Sequence, residues 1–124
     1  MRLLRGAPYF PVADVEKTSA YYDRVLGFAT AYRAGEPPMF AICRRDGLDL
    51  MLRGVDAPDR IRPMEGGTWD AFFWVDDAAA LHAEFAARGA SVVYGPVREE
   101  YGVLEFAIRD LDGHGLGFGQ TLAP

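Results

Sequence analysis

The strong candidates for chemistry are few: two histidines, His82 and His114, one cysteine, Cys43, and the carboxylates Asp49 and Asp70 inside strand-like runs. His114 stands in Gly113-His114-Gly115-Leu116-Gly117-Phe118-Gly119, a run that holds four of the chain's fourteen glycines. Three uses are open to such a run: a phosphate-cradling loop, one corner of a metal site, or a strand with one bare face. A phosphate loop calls for a helix after the glycines, and the few residues that follow, closing with Pro124, speak against one. As a strand the run alternates, with Gly113, Gly115, Gly117 and Gly119 on one face and His114, Leu116 and Phe118 on the other. Glycines in a strand mark strong curvature or the close approach of a ligand or another backbone. His82, beside Leu81 in "AAALHAEFAARGA", is far from any ligating pattern and reads as a surface or boundary residue. Cys43 reads as a small buried hydrophobe, since no histidine lies near it to activate a thiolate.

Two segments with matching grammar position these residues. "APYFPVADVEKTSAYYDRVLGF" (7–28) and "DAFFWVDDAAALHAEFAARGA" (70–90) each run from an apolar strand through Val-x-Asp into an amphipathic helix that stops at a glycine. Asp14 and Asp77 stand at the N-caps, where a carboxylate accepts from first-turn N–H groups. Val15, Tyr22, Val25 and Leu26 recur at helical spacing on the first helix, and Ala78, Leu81, Phe85 and Arg88 on the second. Gly27 and Gly89 supply the stops. Behind each helix come three strand-like stretches: roughly 28–33, 38–45 and 47–54 in the first half, and roughly 90–94, 102–109 and 114–121 in the second. The turns Arg45-Asp46-Gly47 and Asp110-Leu111-Asp112-Gly113 join the last two of each set. The chain is therefore close to a duplicated βαβββ unit in one domain, 1–124. Module one covers about 1–56, a Pro- and Gly-containing linker about 57–67, and module two about 68–124.

Composition narrows the partners. With 13 basic and 18 acidic residues the chain lacks the basic balance that nucleic acid requires. An acidic protein tolerates or attracts a cationic small ligand. No apolar run approaches the ~18–20 residues of a membrane span, so no membrane partner is expected. "MRLLRGAPYF" is too short in its apolar part, and too soon interrupted by Pro8, to read as a signal peptide. The single cysteine excludes an internal disulfide and fits a reducing compartment, so the expected location is cytoplasmic.

"V-A-D-V…A-Y-Y-D-R-V-L-G-F", followed by "Y-G-V-L-E-F-A-I-R-D-L-D-G-H", resembles the vicinal oxygen chelate superfamily of glyoxalases, bleomycin resistance proteins and extradiol dioxygenases. The resemblance covers nearly the whole chain and is strongest to bleomycin-resistance-type binding proteins. Pro8, six residues before Asp14, and "EEYGVLEFAIRD" carry it, although Leu104 occupies the place of an arginine. It implies an α+β fold in which two βαβββ modules form a curved mixed sheet around a ligand cavity. It also implies a homodimer, to which Pro8 would suit an exchanged N-terminal strand. Enzymes of the superfamily hold a divalent metal with four side chains, one from each of four strands. The resemblance places these slots at Ala7, Asp49 (or Met51, one dipeptide on), Asp70 and Gly117. Ala7 and Gly117 cannot ligate, so no metal, no cofactor and no catalytic residue are expected. The Gly117 slot also puts the glycine face toward the cavity and His114 on the helix-packed side.

Strand parity from the slots lines the cavity with Tyr9, Pro11, Asp49, Met51, Asp70, Phe72, Trp74 and Gly117, with Phe40 from a neighbouring strand and Tyr101 at the rim. Aromatic walls with sparse polar handles make a small-molecule pocket, and Asp49 and Asp70 beside them would suit a planar cation. The expected function is metal-free binding that sequesters an aromatic or cationic antibiotic. The alternatives are a metal-dependent glyoxalase-like lyase or dioxygenase, and a dimeric ligand-sensing or interaction module.

Overall fold

The computed structural model describes residues 1–57, 61, 63–64 and 68–124. The expected linker at about 57–67 lies for the most part outside the described residues. The chain divides into two compact units, Met1–Arg62 and Pro63–Pro124. Each carries the same sequence of elements. Unit one has β1 (Tyr9–Val12), α1 (Val15–Arg24), β2 (Ala29–Ala34), β3 (Phe40–Arg45) and β4 (Leu48–Gly54). Unit two has β5 (Ala71–Trp74), α2 (Ala78–Ala87), β6 (Ser91–Glu99), β7 (Val103–Arg109) and β8 (Gly115–Thr121). The sheets are separate and mixed, with orders β1-β4-β3-β2 and β5-β8-β7-β6. In both, the first strand pairs parallel with the last and the other pairs are antiparallel. This is the α+β fold of two βαβββ modules.

Local chemistry explains the repeat. The Asp14 carboxylate accepts from Lys17 N–H at 3.0 Å, and that of Asp77 from Ala80 N–H at 3.0 Å, so both helices start on an aspartate cap. They also stop alike. Phe28 N–H donates to Tyr22 O at 2.9 Å and Ala90 N–H to Phe85 O at 3.0 Å, each reaching back over the terminal glycine to close the last turn. Between β3 and β4 the two-residue turn Asp46-Gly47 has φ of 52° and 78°, the conformation that suits strand twist in a tight hairpin.

Each sheet buries one face against its own helix and leaves the other open. Phe10, Leu50 and Leu52 pack with Val15, Tyr22 and Leu26 in unit one, each such side chain contributing about 1.5–3 kcal/mol. Cys43 is buried among them, and burial above all pushes its thiol up to about 11, which keeps it an inert hydrophobe. In unit two Phe85 of α2 packs on Phe106 and Phe118, with Leu116 and Ile108 fully buried alongside.

Three details depart from the periodicity. Arg88, expected on the buried face of α2, is the exposed C-cap and pairs with Glu84 at 3.6 Å. Leu48 is 49% exposed because it opens β4 at the hairpin, whereas Leu50 and Leu52 are buried. Strand β6 runs on to Glu99 through Gly95 and Pro96. It can do so because it is an edge strand with two register shifts, between Val92 and Tyr94 and between Tyr94 and Val97, so proline forfeits no inner ladder bond. His82 is half-buried, its ring 5.3 Å from that of Phe106. No helix among the described residues is long and apolar enough to cross a membrane.

Candidate functional site

The open face of unit one follows from register. Tyr9 pairs with Met51, Met51 with Ile42, and Ile42 with Tyr32, so these four side chains form a row across the sheet. Phe40 sits beside the row, its ring edge-on to Tyr9 and to Tyr32 at 6.2 Å each. A small cleft of about 220 Å³ is lined by Tyr9, Phe10, Pro11 and Arg53. A larger groove of about 570 Å³ runs between α1 and β2, but Glu16, Asp23 and Arg33 are among its lining residues and Tyr32 is its sole ring.

Asp49 lies on the same face and is already neutralised. Its hairpin partner Arg44 approaches through Nε at 2.5 Å and Nη2 at 3.2 Å, and Arg5 Nε stands at 3.3 Å. The Arg44 hydrogen bond holds the Asp49 carboxyl below the usual carboxylate range. The side chain is only 6% exposed, covered by the arginines that pair with it.

The open face of unit two is built on bare backbone. One row reads Phe72, Gly117, Ala107, Tyr94 and the next Trp74, Gly119, Glu105, Val97. The two glycines are required by what lies over them. A Cβ at Gly117 would stand 2.6 Å from Phe72 Cδ2 and from Trp69 Cδ1 and Nε1, and one at Gly119 would stand 2.5 Å from Phe72 Cζ. The glycine strip therefore seats the protein's own rings. Trp69 and Phe72 have centroids 4.5 Å apart, and Phe72 and Trp74 5.0 Å apart, so the wall is continuous. Trp74 is 63% exposed, as is Tyr101.

Asp70 is committed to the backbone. Its carboxylate accepts from Gly115 N–H at 2.7 Å and from Met64 N–H at 3.0 Å, while its own N–H donates to Gly115 O at 2.7 Å. The buried His114 has Nδ1 4.0 Å from the same carboxylate. These bonds fix the entry to β5.

Glu105, on the open face of β7, is the site residue that sequence reasoning passed over. It is 2% exposed, and its carboxylate accepts from Tyr94 Oη at 2.6 Å on one oxygen and from Tyr101 Oη on the other. Tyr94 Oη in turn accepts from Trp69 Nε1 at 2.8 Å. A carboxylate inside the apolar run Val-Leu-Glu-Phe-Ala-Ile was the one signal open to it, because a strand that spends a buried position on a charge has a use for it.

The network sets a pH test. Burial first, then the bond to Glu105, raises the Tyr94 phenol; the bond to Glu105 pushes Tyr101 up to about 12. A phenol whose folded pKa is raised contributes stability that is complete below its ordinary value near 10 and is lost as pH rises toward 12. Alkaline titration at 295 nm should show Tyr101→Phe deleting a late tyrosinate step near pH 12. Deletion of a step near pH 10 would mean that Tyr101 does not bond Glu105 in solution.

Among the described residues no three His, Cys, Asp or Glu side chains come together as a metal site. Nor do the individual residues fit one: Ala7 and Gly117 offer no donor, Asp49 is held by Arg44, and Asp70 is filled by N–H donors.

A model of the Glyoxalase/Bleomycin resistance protein/Dioxygenase superfamily matches residues 7–118. Among solved structures, TioX from Micromonospora sp. ML1 is 23% identical with a TM-score of 0.79, over 97% of this chain and 100% of that one. The bleomycin resistance determinant encoded on the transposon Tn5 is 22% identical with a TM-score of 0.76, over 96% and 98%. The bleomycin-binding protein of bleomycin-producing Streptomyces verticillus, in complex with copper(II)-bleomycin, is 21% identical with a TM-score of 0.69, over 100% and 99%. No curated protein sequence matches the chain.

Proposed function

The chain belongs to the glyoxalase/bleomycin resistance protein/dioxygenase superfamily, and from that premise we propose that it is a metal-free small-molecule-binding protein that sequesters an aromatic or cationic antibiotic. The aromatic wall of unit two carries the reading. Trp69, Phe72 and Trp74 form a continuous surface beside Tyr101, and two of its four rings are mostly exposed. An exposed patch of large rings on an ordered sheet is costly unless something covers it, and a flat apolar ligand does so. Tyr9, Phe40 and Met51 offer a smaller surface of the same kind on unit one. Asp49, Asp70 and Gly117 act behind these contacts: two hold the backbone and its neighbours, and Gly117 gives the rings their seat. Two of the similar structures are by name a bleomycin-binding protein and a bleomycin resistance determinant, which supports sequestration over turnover.

Elemental analysis together with tryptophan-fluorescence titration tests the proposal. The expected result is less than about one-tenth of a metal per chain, and saturable quenching by bleomycin without consumption of it. A stoichiometric metal, or turnover abolished by chelators, would replace it with a metal-dependent lyase or dioxygenase.

A further inference from the structure

We propose that Glu105 makes the aromatic face of unit two selective for an organic cation: a quaternised heteroaromatic ring, or an alkylammonium carried on one. This deepens the binding reading above and rests on it.

Glu105 differs from Asp49 and Asp70, the two carboxylates expected from the sequence to line the cavity. Asp49 is balanced by Arg44 and Arg5, and Asp70 is filled by backbone N–H groups. Glu105 is as buried as either, yet its partners are the neutral phenols of Tyr94 and Tyr101. Among the described residues no Lys, Arg or His pairs with it. A buried carboxylate without a counter-ion is expensive to keep, and a ligand that brings the positive charge recovers that cost.

The surrounding hydrogen-bond directions point the same way. Both phenol hydrogens are spent on Glu105, and the indole N–H of Trp69 is spent on Tyr94. The three side chains therefore leave ring carbon, not N–H or O–H donors, for a ligand. Such a surface has nothing to offer an anion. Electron-rich rings with a negative charge behind them attract a cation through both the ring quadrupoles and the carboxylate.

A matched pair of probes separates charge from shape: N-methylquinolinium and 1-methylnaphthalene share an outline and differ in charge. Calorimetric titration on the wild-type protein and on Glu105→Gln, which keeps the side chain's size, should show N-methylquinolinium weakened about tenfold by the substitution. The affinity of 1-methylnaphthalene should change by less than about twofold, because stacking does not read the charge. Equal losses for both probes, or no loss for the cation, would overturn the inference while leaving the binding reading intact. Should neither probe bind the wild-type protein, the binding reading falls and this inference with it. If Glu105→Gln fails to fold by circular dichroism, Tyr101→Phe decides. It leaves the carboxylate's charge and frees one oxygen, so N-methylquinolinium should hold or gain affinity; a tenfold loss would assign the effect to the tyrosine and overturn the role of Glu105.

Discussion

Phe118→Ala should cost about 3–5 kcal/mol of stability, the largest loss expected of any single change in unit two. Phe118 is 2% exposed at the centre of its sheet's helix-facing side. It stacks on Phe106 with centroids 5.2 Å apart and on Phe73 at 5.6 Å, and meets Phe85 of α2 edge-on at 5.2 Å. Truncation removes the ring's transfer energy and leaves a void that three rings, each held on a different element, are poorly placed to fill. Against a total stability of about 5–15 kcal/mol, the loss is a large share of what keeps a small domain folded. Melting followed by circular dichroism should show a fall of about 10–20 °C for a chain of this length. Trp74→Ala serves as the control. Its ring is 63% exposed and seats no helix, so it should lower the melting temperature far less while removing part of the ligand surface. A Phe118→Ala variant that melted within about 3 °C of the wild type would mean the aromatic stack is not the core of unit two.

What could be read from the sequence was local, and what could not was the partner across the sheet. The aspartate caps, the glycine stops and the Val-x-Asp repeat each operate within a few residues, and they sufficed for two βαβββ modules. Alternation in 114–120 sufficed to separate a glycine face from the buried Leu116 and Phe118. The occupant of the glycine face was hidden, because Trp69 and Phe72 lie far from Gly117 in the chain and only strand pairing brings them over it. Asp70 looked like a handle for a ligand because its type is visible and the bond its carboxylate accepts from Gly115 N–H, 45 residues on, is not. Asp49 was more accessible. An Asp46-Gly47 turn places Arg45 opposite Leu48 and hence Arg44 opposite Asp49, so its ion pair follows from the hairpin itself. Glu105 went unread for the opposite reason: its burial depends on two tyrosines from a neighbouring strand and a loop, and the apolar run around it reads as core.

Gly117→Ala should do to binding what Phe118→Ala does to folding. One methyl group at this position would lie 2.6 Å from atoms of both Phe72 and Trp69, well inside van der Waals distance. Neither ring can yield freely. Phe72 is fixed in β5, whose pairing sets it directly opposite Gly117, and Trp69 is tethered through Nε1 to Tyr94 and so to Glu105. The methyl must therefore push the wall outward or break the tether, at about 1–3 kcal/mol of overpacking strain. Stability would fall modestly, while the surface offered to a flat ligand would lose its continuity. Every 1.4 kcal/mol of stacking energy forfeited by a displaced wall weakens affinity about tenfold, so 1-methylnaphthalene binding should weaken by about tenfold or more. Tryptophan emission should shift in the same variant, since Trp69 moves against its phenol partner. Gly6→Ala, where an added Cβ meets nothing within 4 Å, should leave emission and affinity alone. If Gly117→Ala bound the probe as the parent does, the ligand would have to sit on a surface that the Trp69 and Phe72 rings do not shape, and the wall of unit two would be a packed edge instead of a binding face.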